Sequence, residues 1–211
     1  MTAAHFEDAK QEADAAELGV WLLVVSELLL FAGLFAIYVY TRAAYPDAFA
    51  AGIHHMSRAL GTTNTFVLLT SSLSAALAGA AMKANRRGLA LACIGFTLLC
   101  GLAFLGIKSI EYRGHLHEGM GPTMFAAAAE AGGMPRATAL FFSLYWLMTG
   151  LHAAHVVGGM GGFLWAAHRV HRRTITAERP HPLELVTVYW HFVDLVWIFL
   201  WPAFYLTATI R

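Results

Sequence analysis

Long apolar stretches separated by short polar or basic connections set the pattern of this chain. A membrane-spanning helix needs about 20 mostly apolar residues. Five stretches qualify, at about 18–41, 61–82, 88–111, 137–167 and 183–208. The first holds one charge, Glu27, and the second holds none and is rich in small residues. The third is uncharged until Lys108 and Glu111 at its end. The fourth has no Asp, Glu, Lys or Arg, and the fifth carries Glu184, His191 and Asp194. The pattern predicts an all-α, polytopic membrane helix bundle with five transmembrane helices. It forms one unit over 17–211, preceded by a polar tail over 1–16.

The connections sharpen this. The basic run Lys83 to Arg87 predicts a tight turn, so the second and third spans form an antiparallel hairpin. Gly119-Met-Gly-Pro122 reads as a turn, and residues 126–131 as a short surface helix. With the N-terminus inside, the inner face holds Lys10, Lys83, Arg86, Arg87, Arg169, Arg172, Arg173 and Arg179. The outer face holds Arg42, Arg58, Arg113, Arg136 and Arg211. The excess of Lys and Arg on inner loops predicts N-in, C-out. The tail lacks the positive start and short apolar run of a signal peptide, so the first span is expected to persist in the mature protein.

Composition supports the membrane reading. Charged residues make up 13% and hydrophobic ones 58%, against about 25% charged in a soluble domain. A net charge of +1 offers no basic face for nucleic acid. Cys93 and Cys100, on one span, rise roughly 10 Å apart on a helix, too far for a disulfide. They read as buried thiols.

Ionisable groups deep in a bilayer cost at least about 2.5 kcal/mol and need partners. Glu27 lies about 13 Å into the first span, with His152, His155, His191 and Asp194 near the middle of theirs, so the five can share one layer. His152 and His155 are three apart on one helix face, as are His191 and Asp194, where the carboxylate can hold the imidazole. Lys108 and Glu111 repeat that spacing at a helix end, where a lysine can reach the interface. The layer admits three readings: a structural network, a proton path, or a haem or metal site. No Cys-rich or His-Glu-x-x-His pattern favours a metal. Gly158 and Gly162 form a Gly-x-x-x-Gly step suited to close helix packing. Pro202 predicts a kink late in the fifth span.

Several of these segments resemble one family. Tyr189-Trp-His-Phe-Val-Asp-Leu-Val-Trp197 and Thr149-Gly-Leu-His-Ala-Ala-His-Val156 are similar to signatures of subunit III of the haem-copper respiratory oxidases. Leu18-Gly-Val-Trp-Leu with Ser26-Glu27 resembles its helix with a buried glutamate. Asn64-Thr65, Ser71-Ser72 and Lys108 with Glu111-Tyr112 match further positions, and the likeness runs from Leu18 to Leu206 in the order of the five-helix bacterial form. The resemblance implies a non-redox subunit with no catalytic residue or metal of its own. Haem and copper are expected in partner subunits. It further implies docking on catalytic subunit I, bound phospholipid, support of proton uptake or oxygen access, and a place in the bacterial cytoplasmic membrane. Glu27, His152, His155, Glu184, His191 and Asp194 correspond to the family's buried polar network, and Arg169 to a lipid-headgroup arginine. Quinol oxidases and a nitric-oxide-reductase accessory branch have similar subunits. Outside the family, an independent proton channel or transporter remains as an alternative.

Overall fold

The computed structural model describes residues 9–122 and 136–206. Its helices are α1 (Ala9–Ala44), α2 (Pro46–His54), α3 (Arg58–Lys83), α4 (Arg87–His117), α5 (Arg136–His171) and α6 (His181–Trp201). A π-helical turn, Pro202–Leu206, follows α6. All of these helices except α2 are long and apolar enough to cross a membrane. The expected surface helix at 126–131 lies outside the described residues.

Two boundaries differ from the sequence reading. Helix α1 begins at Ala9, so residues 9–16 of the polar tail continue the first helix. Helix α4 runs to His117, past the expected end at 111. Hydropathy marks where a helix leaves the hydrocarbon, whereas backbone hydrogen bonding carries it on into the headgroup region. The sequence reading also has no α2. Pro46 starts this helix, and it buries Phe49, Gly52 and Ile53 in its single apolar face. Gly52 lies against Phe141 of α5, where a Cβ would come within 2.3 Å of the ring.

The α3–α4 hairpin forms as the basic turn predicts, with Asn85 at φ 56° in the left-handed region that Asn tolerates. Small α3 residues, Ser71, Ser74, Ala75 and Ala78, are buried and let α4 come close. The Ser74 hydroxyl donates to the Cys93 carbonyl at 2.9 Å across the pair. Arg87, at the start of α4, reaches the end of α5. Its Nε donates to the Val170 carbonyl at 2.9 Å, and its Nη2 donates to the His171 carbonyl. A cation there satisfies carbonyls the helix leaves unpaired and complements the negative end of its dipole. Lys83 pairs with Glu184 at 2.7 Å, so the clustered basic residues share one end of the bundle.

Helix α6 is central and packs on α1, α3 and α5. Its Trp190 and Trp197 are fully buried. Each indole N–H finds a hydroxyl on α3: Trp190 donates to Ser71 at 3.0 Å and Trp197 to Thr65 at 3.1 Å. The polar residues of α3 therefore satisfy the tryptophans that an apolar core cannot. Glycines of α5 receive the rings. At Gly159 a Cβ would lie 2.6 Å from Trp190, and at Gly162 3.2 Å from Val186. The close approach is thus at Gly159 and Gly162, and Gly158 only brushes the Tyr189 hydroxyl. Helix α1 is peripheral: Val24, Phe31 and Tyr38 form its buried seam, and most of its other apolar residues are exposed. Pro202 ends the regular α6 ladder, and the π turn that follows buries Phe204 and Tyr205.

Candidate functional site

The polar residues of the spans form several separate centres. The first joins α1 to α5. His155 Nε2 lies 2.9 Å from Glu27 Oε2, and His155 Nδ1 lies 2.7 Å from the Leu151 carbonyl. A carbonyl only accepts, so Nδ1 carries a hydrogen. The Nε2–Oε2 contact then holds one proton, on the imidazole or on the carboxyl. Both side chains are largely but incompletely buried, 12% and 22% exposed.

The second centre surrounds Lys108, which is 2% exposed. Its Nζ donates to Glu111 Oε2 at 2.8 Å, to the Tyr145 hydroxyl at 2.8 Å and to the Tyr205 hydroxyl at 3.1 Å. All three ammonium donors are used. Tyr205 in turn donates to Glu111, at 2.7 Å to Oε1 and 2.9 Å to Oε2. The rings of Tyr112 and Tyr145 lie 4.9 and 4.7 Å from Nζ, in cation–π range. The ion pair is present, but its expected place at a helix end is not. Helix α4 continues nine residues past Lys108, about 13 Å of rise, and the ammonium is held inward by Glu111, Tyr145 and Tyr205. Tyr145 and Tyr205 close this cage, and sequence reasoning missed both. Tyr145 was within reach of it, since it stands seven residues before His152 on the buried face of α5.

His152 and His155 go separate ways although three apart. His152 is fully buried between Phe104 and Trp197, with ring centroids 5.4 and 5.2 Å away. Neither of its nitrogens has a hydrogen-bond partner among the described residues. Asp194 does not hold His191 as its spacing suggested. His191 Nδ1 instead lies 2.6 Å from Ser72 Oγ on α3. Asp194 is buried, and neither carboxyl oxygen makes a hydrogen bond among the described residues. Glu184, expected in the buried network, is one-third exposed at the basic end, between Lys83 and His181.

Arg169 opens onto a groove of about 970 Å³ between α1 and the α5–α6 pair. The mouth carries Arg169, Glu178, Arg179 and His181; the walls include Val20, Leu23 and Val186, over a floor of Gly158, Gly159 and Gly162. The Arg169 guanidinium lies 5.2 Å over the Trp165 ring. Hydrogen bonds from Thr176 and its own backbone N–H hold the Glu178 carboxyl below its ordinary range. The groove climbs α1 as far as Leu23, one turn short of Glu27. A basic mouth above an apolar slot suits an anionic headgroup with an acyl chain, and the guanidinium offers a planar fork for phosphate.

The family model "Cytochrome c oxidase subunit III" matches residues 3–209 of the chain. The chain is 31% identical to "Cytochrome c oxidase subunit 3" of Alkalihalophilus pseudofirmus, over 96% of this chain and 91% of the relative. It is 29% identical to "Cytochrome bo(3) ubiquinol oxidase subunit 3" of Pseudomonas aeruginosa, over 91% and 85%. It is 27% identical to "Probable quinol oxidase subunit 3" of Staphylococcus aureus, over 94% and 92%.

Proposed function

The chain belongs to the cytochrome c oxidase subunit III family, and from that premise we propose that it is the non-redox third subunit of a respiratory haem-copper terminal oxidase. In this reading it sits in the bacterial cytoplasmic membrane with its N-terminus inside. Oxygen reduction and its haem and copper belong to partner subunits. This chain docks on catalytic subunit I, holds phospholipid in the groove beside Arg169, and supports proton uptake there. The observation that carries the reading is the family match from end to end of the five spans.

The geometry bears on the non-catalytic role and on the proton and lipid parts of this reading. The Lys108 cage is closed, with every donor of the ammonium used inside the chain, so it serves the bundle rather than a reaction. The Glu27–His155 pair is the centre suited to a proton. It shares one proton across 2.9 Å, is partly accessible, and stands one turn beyond the apolar groove. A lipid in that groove would cover the pair and control its access to water.

Purification tests this. Extracted gently from its native membrane, the chain should travel with haem- and copper-bearing subunits and with phosphorus in excess of bulk carry-over. Arg169→Ala should reduce that bound phospholipid while leaving the haem spectrum intact. A chain that purifies unattached and conducts protons alone in liposomes, with loss on Glu27→Gln, would make it an independent proton channel instead.

A further inference from the structure

Three hydroxyls that face outward along the spans, on Ser26, Thr70 and Ser109, are satisfied by their own helices. Ser26 donates to the Leu23 carbonyl at 2.7 Å, and Ser109 to that of Leu105 at 2.7 Å. Thr70 donates likewise to the Phe66 carbonyl. His191 is not satisfied in this way. It is only half-buried, on the outward side of α6, about 15 Å of helix from the start at His181 and so near mid-membrane. Its Nδ1 is committed to Ser72, itself half-buried. Its Nε2 meets no partner among the described residues, nor does it lie sealed in the interior. Either tautomer leaves one open valency there, an N–H or a lone pair. In hydrocarbon such a group is expensive, and polar side chains on transmembrane helices are satisfied by neighbouring helices.

The ground around it is otherwise apolar. Leu195, Ile198 and Phe199 continue the outward face of α6 toward one end, each more than 40% exposed, and Leu69 of α3 flanks it. On the far side of the bundle, the outward residues of α4, such as Leu99 and Leu102, surround no comparable polar group. An all-apolar face is content in lipid. A face with an unpaired imidazole at mid-depth is not.

Resting on the reading of this chain as an oxidase subunit, we propose that the α3–α6 face centred on His191 is its docking surface. The occupant is a membrane-spanning helix of another subunit of the same oxidase, one that presents a hydrogen-bonding side chain to His191 Nε2 at mid-membrane. Ser72 orients the imidazole for that contact. Helix α4 faces lipid.

Photo-cross-linking in the intact native complex tests this. Benzoylphenylalanine replaces Leu195 in one variant and Leu99 in another. Position 195 should yield an adduct with another oxidase subunit, and position 99 should yield none. An adduct from 99 but not 195, a dimer of this chain from 195, or lipid adducts alone at 195 would overturn the assignment. Retention of the chain through detergent purification tests the polar anchor separately. His191→Leu should lower retention at least ten-fold, and His191→Gln, which can still hydrogen-bond, should restore most of it. Equal retention of parent and His191→Leu would remove His191 as the anchor. If the parent chain brings down no haem-bearing complex at all, the subunit assignment falls and this one with it. If the complex is intact and the adduct at 195 is missing, only this one falls.

Discussion

Lys108 and Glu111 show what a buried charge pair demands. The lysine is 2% exposed, and its partners come from α4, α5 and the π turn. Removing one member of such a pair leaves the other charge buried and alone, at about 3–5 kcal/mol, whereas replacing both with apolar groups is often nearly neutral. Lys108→Met is therefore expected to lower the melting temperature of the complex sharply, and Lys108→Met with Glu111→Met to recover most of the loss. A calorimetric or fluorescence melt in detergent checks both. Glu27→Ala is expected to behave differently. It removes a partly accessible group beside the groove, so the haem spectrum should stay unchanged while phospholipid content or sustained turnover falls. Complete loss of oxygen reduction in a fully assembled complex would contradict that. Which residues meet was only partly legible in the chain. Lys108 and Glu111 are three apart and their pairing follows from helix geometry. The same rule misassigned Asp194 to His191, because the true partner, Ser72, is 119 residues away and is set by the α3–α6 register. Spacing says which side chains share a face, and only packing says what that face meets.

Among elements, the α5–α6 contact is the one most exposed to a single atom. A Cβ at Gly159 would stand 2.6 Å from Cε3 of the buried Trp190, which is held at its other end by Ser71. Overpacking of this kind costs about 1–3 kcal/mol. Gly159→Ala is expected to destabilise the bundle by that order, and Gly161→Ala, with nothing within 4 Å of its Cβ, to be neutral. Comparing their melts checks the pair. The five spans were legible because an apolar run of some 20 residues has no other stable home. The whole of α2 was not, since its helical state rests on neighbours such as Phe141, and neither were the extensions of α1 and α4, which lie beyond the apolar runs and follow from backbone hydrogen bonding. At Pro202, whose missing N–H predicted a kink, the regular helix gives way to a π turn that delivers Tyr205 to the Lys108 cage.

At the scale of the molecule, the basic residues concentrate at the end where α3, α4, α5 and α6 are joined by Arg87 and Lys83. The N-terminal part of α1 stands at the same end, with Glu17 3.9 Å from His181. An inner placement of this end follows the positive-inside tendency. In right-side-out membranes, Asn85→Cys in the basic turn should resist an impermeant thiol reagent and His54→Cys should react; the reverse would invert the topology. The peripheral α1, the groove behind it and the half-buried His191 on the α3–α6 face are the surfaces to which the proposed lipid and partner subunits are assigned. The measurement that tests this most directly is native mass spectrometry of the complex released from its own membrane by gentle detergent. This chain is expected in one assembly with haem- and copper-bearing subunits and retained phospholipid. A lone chain, free of haem-bearing partners under conditions that keep oxidase activity intact elsewhere in the sample, would contradict it.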